Sequence, residues 1–177
     1  MRVDQPLPNL WLLSDERNDA VLEQALATLP QGSGFVFRHY HLSAAARRAR
    51  FEQLGLLCRQ AGHLVVLADA SDTALEWGAD GVYGPAGKLA PRASLLQLAT
   101  VHDLPEINRA ERHGVDAMFL SPVFSTRSHP DGQCLGKENF LFMAEKAKRP
   151  IIALGGMNAE RAEYLGWPRW AAIDGLS

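Results

Sequence analysis

The sequence of 177 residues predicts an α/β protein, a compact (βα)₈ or TIM barrel whose eighth helix is absent or truncated. Eight short apolar runs alternate with longer stretches that have helical spacing. Runs that are apolar on both faces are typical of parallel strands buried between helices. Eight strands and seven helices favour a closed barrel over an open, doubly wound sheet.

The predicted strands are short and consist mainly of aliphatic and aromatic residues. In chain order they are Leu10 to Leu13, Gly34 to Phe37, Leu64 to Ala68, Gly81 to Tyr83, Leu95 to Ala99, Ala117 to Leu120, Ile151 to Leu154 and Ala171 to Ile173. The stretches between them supply the crossover helices that parallel strands require. The last strand comes directly before the end of the sequence, so we expect one barrel seam to be covered by a partner subunit or by a longer native chain.

Glycines mark the helix ends. Gly62, Gly78 and Gly114 each follow a helical pattern and precede a strand, where a left-handed C-terminal cap is favoured. The segments Gly78 to Tyr83 and Gly114 to Phe119 are near copies of each other, which indicates repetition of βα units. The longest polar loop, Thr126 to Gly136, is a candidate lid.

The composition indicates one ordinary globular domain over residues 1–177. Hydrophobic residues make up 47% of the chain, charged residues 21%, and the formal net charge is -2. This balance favours neither nucleic acid nor an anionic membrane as a partner, and no apolar run is long enough to span a bilayer or act as a secretory leader. We therefore expect a cytoplasmic protein, with Cys58 and Cys134 reduced and without a role in metal binding.

Two consecutive strand ends have the composition of a phosphate cradle. The apolar strand that ends at Leu120 leads into a loop with hydroxyl groups at Ser125, Thr126 and Ser128, and the next strand ends in Gly155-Gly156. Hydroxyl groups and closely approaching backbone N–H groups bind anions. An ordinary polar turn is the alternative interpretation.

Side chains at the carboxyl ends of barrel strands converge on one mouth, so these positions are the candidates for chemistry. His102 follows a strand and is the best candidate for a general acid or base, the alternative being a histidine that caps the next helix. Asp69 is a candidate for binding Mg²⁺, for hydrogen bonding to a substrate, or for capping a helix. His39 and His41 lack a third ligand, which argues against zinc, and His129 is either a loop residue or a phosphate contact.

Four segments together resemble the thiamine phosphate synthase/TenI family. They are Gly78 to Val82, Val101 to Glu106, Pro122 to Pro130 and Pro150 to Met157. The resemblance runs from about Leu10 to Ser177 and implies a (βα)₈ barrel, usually dimeric or higher, that holds a phosphorylated thiazole with its late loops. In the synthase branch a pyrimidine pyrophosphate is joined to thiazole phosphate with Mg²⁺. In the TenI branch a thiazole carboxylate phosphate is tautomerised, with the histidine that matches His102 moving the proton.

The sequence departs from the synthase pattern at three strand ends. Where synthases resemble Gln-x-Arg-x-Lys this chain has Val36 to Tyr40, which retains only Arg38. Asp69 matches one metal carboxylate, but Lys88 stands where the second should be. A carboxylate and an ammonium group sum to zero charge, so we predict that Asp69 and Lys88 form a pair that replaces the metal site.

These observations favour a TenI-like thiazole tautomerase of thiamine biosynthesis that uses His102 as the acid/base and needs no metal. The predicted substrate-binding residues are Arg38, Tyr40, Asp69, Tyr83, Lys88, Thr100, Ser121, Thr126, Ser128, His129, Gly155, Gly156 and Ser177. One alternative is a thiamine phosphate synthase, active or weakened, that uses Mg²⁺. Another is a barrel that binds phosphorylated ligands without catalysis.

Overall fold

The computed structural model describes residues 6–126 and 132–176. Eight parallel strands form a closed barrel in which each strand pairs with its neighbours in sequence and β8 pairs with β1. The strands are β1 Leu10–Leu13, β2 Gly34–Phe37, β3 Leu64–Leu67, β4 Gly81–Pro85, β5 Leu96–Val101, β6 Ala117–Leu120, β7 Ile151–Ala153 and β8 Trp170–Ala172. The predicted (βα)₈ barrel is confirmed, and each predicted strand overlaps an observed one.

Six α-helices lie within the described residues, one fewer than the seven predicted. They are α1 Leu22–Thr28, α2 Ala44–Gln60, α3 Ser71–Trp77, α4 Leu104–Arg112, α5 Gly136–Lys146 and α6 Ala159–Leu165. The helix predicted between β4 and β5 is replaced by a 3₁₀ turn, Ala86–Lys88, and a loop. Pro85 ends β4, Gly87 and Pro91 fall in this connection, and both residue types disfavour a helix interior. No helix follows β8 in the described residues up to 176.

The predicted glycine stops have the expected backbone conformation. Gly62, Gly78 and Gly114 all have positive φ, and Gly78 is the left-handed cap of α3. Each lets a helix end abruptly and the chain turn into the following strand. None of the helices in the described ranges is long and apolar enough to cross a membrane.

Apolar side chains fill the barrel and also form the layer between barrel and helices. Trp11 is fully buried inside, edge-on to Phe119 at 5.6 Å between ring centroids. Gly34 on the paired strand makes room for it, since a Cβ atom there would lie 2.1 Å from the Trp11 ring. Leu12, which alternates with Trp11, points outward and packs in the helix layer. The packed interior therefore confines ligand space to the ends of the barrel.

Candidate active site

A cavity of about 750 Å³ opens at the carboxyl ends of the strands. Eight of the site residues predicted from sequence line it, namely Arg38, Tyr83, Thr100, His102, Ser121, Thr126, Gly155 and Gly156. The strands bring these residues together although they span most of the chain, because parallel barrel strands all end on the same side. The size and the mixed lining suit a small, polar organic ligand.

The remaining predicted site residues are placed differently. Tyr40, Asp69 and Lys88 do not line the cavity. Ser128, His129 and Ser177 lie outside the described residues. Residues 127–131 of the candidate lid, Thr126 to Gly136, lie outside them as well.

The turn after β7 is a tight backbone structure at one side of the cavity. Gly155 has a φ of 100° and Gly156 a φ of 63°, and the Phe124 N–H donates to the Gly155 carbonyl at 3.1 Å. A Cβ atom on Gly156 would lie 2.5 Å from the Ser125 carbonyl oxygen. Within the described residues the N–H groups of Gly155 and Gly156 have no hydrogen-bond acceptor. They are therefore available to an anion.

Arg161 was not predicted from the sequence, yet it lines the cavity beside this turn. Its Nη1 donates to the Gly156 carbonyl oxygen at 2.5 Å, and its guanidinium lies over the Phe124 ring, 5.3 Å from the centroid. The Asn158 side chain accepts from the Arg161 backbone N–H at 2.8 Å and caps α6. Arg161 lies in a helix and not at a strand end, so no signal in the sequence indicated that it belongs to the site.

Arg38 lines the cavity at the end of β2, and two hydrogen bonds fix its side chain. Its Nε donates to the Ser14 carbonyl oxygen at 2.8 Å and its Nη2 to Asp15 at 2.9 Å. Arg17, also unpredicted, pairs with the same carboxylate at 3.0 Å and lies 3.5 Å from Asp174. Partial burial opposes ionisation of Asp15, but hydrogen bonds from Arg17 and the charges of both arginines outweigh it and lower the pKa of this carboxyl.

A buried network behind Arg38 fixes its backbone. The Ser14 hydroxyl accepts from the Arg38 N–H at 2.8 Å and contacts His39 Nδ1 at 2.7 Å, and His39 Nε2 lies 2.7 Å from Asp19. Ser14 and His39 are fully or almost fully buried, so this arrangement of Ser, His and Asp cannot present a nucleophile to a substrate. The sequence pattern of His39 and His41 pointed only to a question of zinc binding and carried no signal of this positioning role.

His102 stands at the rim with its side chain 57% exposed. Its Nδ1 lies 2.8 Å from the Glu106 carboxylate, which also accepts from the His102 backbone N–H at 2.8 Å. Because a carboxylate only accepts, Nδ1 carries the proton and Nε2 is left as the base in neutral His102. Asp103, not His102, caps α4 by accepting from the Glu106 N–H at 2.8 Å. The alternative of a capping histidine is therefore wrong.

Tyr83 and Thr100 project from β4 and β5 below the rim. Tyr83 packs edge-on against Phe119 at 5.1 Å between centroids, and burial raises the pKa of its phenol well above the usual range. Tyr83 therefore stays neutral and can only donate or accept a hydrogen bond.

The predicted pairing of Asp69 with Lys88 is wrong. Asp69 forms its ion pair with Arg47, a residue of the first turn of α2. The Arg47 guanidinium also donates to the Ala68 carbonyl oxygen at 2.9 Å, and its Nε donates to the Arg38 carbonyl oxygen at 2.8 Å. Lys88 is exposed and has no ion pair in the described part of the chain. Arg47 reaches Asp69 because the first turn of α2 lies close to the residues that follow β2 and β3, a proximity that depends on the folded barrel.

Arg47 is enclosed by three rings. Its guanidinium lies 5.8 Å from the Phe37 centroid, 5.6 Å from Tyr40 and 5.7 Å from Trp77. Tyr40 is 67% exposed and covers this cluster from the solvent side. Tyr40 stands where the synthase pattern has a lysine, and Asp69 matches a metal carboxylate of that pattern. In this chain both residues therefore belong to a closed structural cluster around Arg47.

Comparisons with known proteins show the family and the fold of the chain. The family model for thiamine monophosphate synthase matches residues 10–167. A thiamine-phosphate synthase from Pyrococcus furiosus is 30% identical over 164 residues, which cover 86% of this chain and 77% of that protein. One from Chlorobium luteolum is 31% identical over 165 residues, covering 88% and 77%. A solved thiamine phosphate pyrophosphorylase from Pyrococcus furiosus superposes with a TM-score of 0.75 at 26% identity, covering 93% of this chain and 85% of that one.

Proposed function

Because the chain belongs to the thiamine monophosphate synthase family, we propose that it is an enzyme of thiamine biosynthesis that binds a phosphorylated thiazole at the barrel mouth. The observation that carries the proposal is the cavity wall formed by Thr126, Gly155 and Gly156, where the two glycine N–H groups have no acceptor among the described residues and can donate to an anion. The neutral thiazole ring is proposed to lie beside Tyr83, which lines the cavity.

The proposed reaction is synthesis of thiamine phosphate from thiazole phosphate and a pyrimidine pyrophosphate. The named relatives are synthases, so they support this alternative over the tautomerase that the sequence analysis preferred. The thiazole nitrogen forms a C–N bond to the pyrimidine methylene carbon while the C–O bond to pyrophosphate breaks. Arg38 and Arg17, which line the cavity, are proposed to donate hydrogen bonds to the departing pyrophosphate.

The family resemblance also implies Mg²⁺, but the residues at Asp69 do not fit it. A divalent cation prefers several oxygen ligands, whereas this carboxylate is paired with the Arg47 guanidinium and also accepts from the Ala70 N–H at 2.7 Å. The second position holds Lys88, a cation. In the proposed reaction the leaving group is therefore stabilised by hydrogen bonds from guanidinium groups of the chain.

A second candidate is tautomerisation of a thiazole carboxylate phosphate, and the pair of His102 and Glu106 at the cavity rim favours it. With Nδ1 held by Glu106, Nε2 is left to take a proton from one carbon of the ligand and return it to another. This reaction needs no leaving group and no second substrate.

Two assays on the purified protein separate the candidates. With both substrates present, mass spectrometry detects thiamine phosphate and pyrophosphate, and R38M is expected to lower their formation at least tenfold. With the thiazole carboxylate phosphate alone, NMR follows tautomerisation, and H102Q is expected to lower a genuine activity by roughly 10² to 10⁴. Tautomerisation without synthesis would reject the first candidate, and turnover in neither assay would reject both.

A further inference from the structure

We infer that Arg161 is the residue that recognises the charge of the ligand's phosphate, and so makes the site specific for a phosphate monoester over the free alcohol. This inference rests on the proposed function. Arg161 lies in the first turn of α6, lines the cavity and contacts the Gly155-Gly156 turn. No residue of the sequence motifs pointed to it.

The guanidinium of Arg161 is held in place with most of its hydrogen-bonding capacity unused. Nη1 donates to the Gly156 carbonyl oxygen, and the planar group packs on Phe124. Nε and Nη2 have no acceptor within the described residues. Stacking and one hydrogen bond fix the orientation of the fork, so little rotamer entropy is lost when an anion binds.

The charge balance of the cavity places the surplus positive charge at Arg161. Arg17 and Arg38 share two carboxylates, Asp15 and Asp174. Arg161 has no carboxylate within 4.0 Å in the described ranges. Among the described residues this half-buried guanidinium has no counterion and lies next to N–H groups without an acceptor, which is the chemistry of a dianion site.

Phosphate oxygens suit this arrangement better than an alcohol does. The fork of Arg161 can donate to one or two oxygens while the N–H groups of Gly155 and Gly156 donate to others. An alcohol offers one oxygen and no charge, so it gains almost nothing from Arg161. We therefore expect Arg161 to discriminate between the two forms of one ligand.

The test compares binding of hydroxyethylthiazole phosphate, hydroxyethylthiazole and inorganic phosphate by calorimetry. R161M keeps an unbranched apolar side chain over Phe124 but removes the charge. We expect it to weaken the phosphate ester by about 10- to 100-fold and to leave the alcohol within about twofold. R161K, which keeps the charge without the fork, is expected to fall in between. R109M changes an exposed arginine of α4 and is the matched control, with all three ligands unaffected.

Each outcome decides a separate point. Equal binding of the ester to R161M and to the unmodified protein overturns the inference but leaves the proposed function standing. A parallel loss of ester and alcohol also overturns it, because that pattern indicates packing rather than charge recognition. If the unmodified protein binds inorganic phosphate through Arg161 but not the thiazole ester, the anion site is supported and the proposed ligand is wrong. Binding of neither anion overturns both.

Discussion

His39 is buried in its neutral form, and its surroundings explain why. The Asp19 carboxylate accepts from Nε2–H, and Nδ1 accepts from the Ser14 hydroxyl, which in turn accepts from the Arg38 N–H. Every polar atom is thus satisfied without a proton on both ring nitrogens. Desolvation lowers the pKa of His39 and outweighs the opposite effect of Asp19, while the positive charges of His41 and Arg50 act in the same direction as desolvation.

A pH dependence of stability follows from this lowered pKa. In the unfolded chain His39 takes up a proton near its ordinary pKa of about 6.5, whereas the folded protein resists protonation to a lower pH. The unfolded state therefore binds more protons below about pH 6.5, and the free energy of unfolding falls as the pH falls. The slope from this one group is at most about 1.4 kcal/mol per pH unit.

Urea unfolding between pH 5 and 8 measures this slope, and H39N serves as the comparison. Asparagine tolerates the positive φ of 41° at this position and cannot titrate. H39N is expected to be less stable at pH 8 but to have a shallower dependence on pH than the unmodified protein. The histidines that do not contact His39 are common to both proteins and cancel, so identical slopes would show that His39 does not contribute.

The ion-pair partner of Asp69 could not be found from the residue types in the loops alone. Its position after β3 was predicted correctly as a strand end, but its partner was assigned by matching charges between loops. The actual partner, Arg47, lies on a helix and is held by two backbone carbonyls as well as by the carboxylate. The sequence separation of the two residues carried no information about this contact.

At the scale of elements, the turn after β7 lets the loop after β6 and the start of α6 come close to the backbone of Gly156. Gly156 combines a positive φ with contacts on three sides, since a Cβ atom would lie 2.5 Å from Ser125 O, 2.8 Å from Arg161 Nη1 and 3.0 Å from Phe124 Cβ. The loop after β6 and the first turn of α6 thus meet at this glycine. A side chain here would displace both walls of the proposed phosphate site.

G156A and G166A together separate backbone strain from crowding. Gly166 caps α6 with a φ of 69°, close to that of Gly156, but an added Cβ would meet nothing within 4 Å. G166A is expected to cost about 1–2 kcal/mol of unfolding free energy from φ alone and to leave ligand binding unchanged. G156A is expected to cost more and to weaken hydroxyethylthiazole phosphate at least tenfold.

Urea unfolding and calorimetry on both variants give the two readouts. Equal losses of stability would show that the loop after β6 yields to the added methyl group. Unchanged binding in G156A would show that the ester does not sit against this turn, which would contradict the proposed site directly.

At the scale of the whole molecule, one cavity collects the ends of most barrel strands, so ligand binding is linked to folding. Hydroxyethylthiazole phosphate at 100 times its dissociation constant stabilises the fold by about 2.7 kcal/mol. For a chain of this length the melting temperature rises by roughly 5–10 °C. We expect the same rise with Mg²⁺ and with EDTA, because Arg47 holds the carboxylate at position 69.

Thermal melts with inorganic pyrophosphate extend the test to the other side of the cavity. Arg38 and Arg17 are expected to give a rise in melting temperature that does not depend on Mg²⁺. A rise that requires Mg²⁺ and is lost in D69N would mean that Asp69 leaves Arg47 to bind the metal, contrary to the geometry described above.

The sequence by itself determined the barrel, its eight strands and much of the mouth. Apolar runs of the right length specify buried strands, and the ends of parallel strands lie on one side, so Arg38, Thr100, His102 and Ser121 could be placed at the site from their positions alone. The missing helix between β4 and β5 was the main error in the fold. The glycine and the prolines between β4 and β5 disfavour a helix, but a helix was predicted there because each barrel strand is usually followed by one.

Only the tertiary structure decided which charges meet. Arg161 enters the cavity and Arg47 closes on Asp69 from helices whose rotation and tilt are set by packing against the barrel. These contacts depend on how each helix is rotated and tilted against the barrel, which is set by many packing contacts together. The side of the barrel on which a strand ends depends only on the direction of the chain. For that reason the sequence indicated where the site lies. The fold decided that, among the described residues, Arg161 is the arginine of the site without a carboxylate partner.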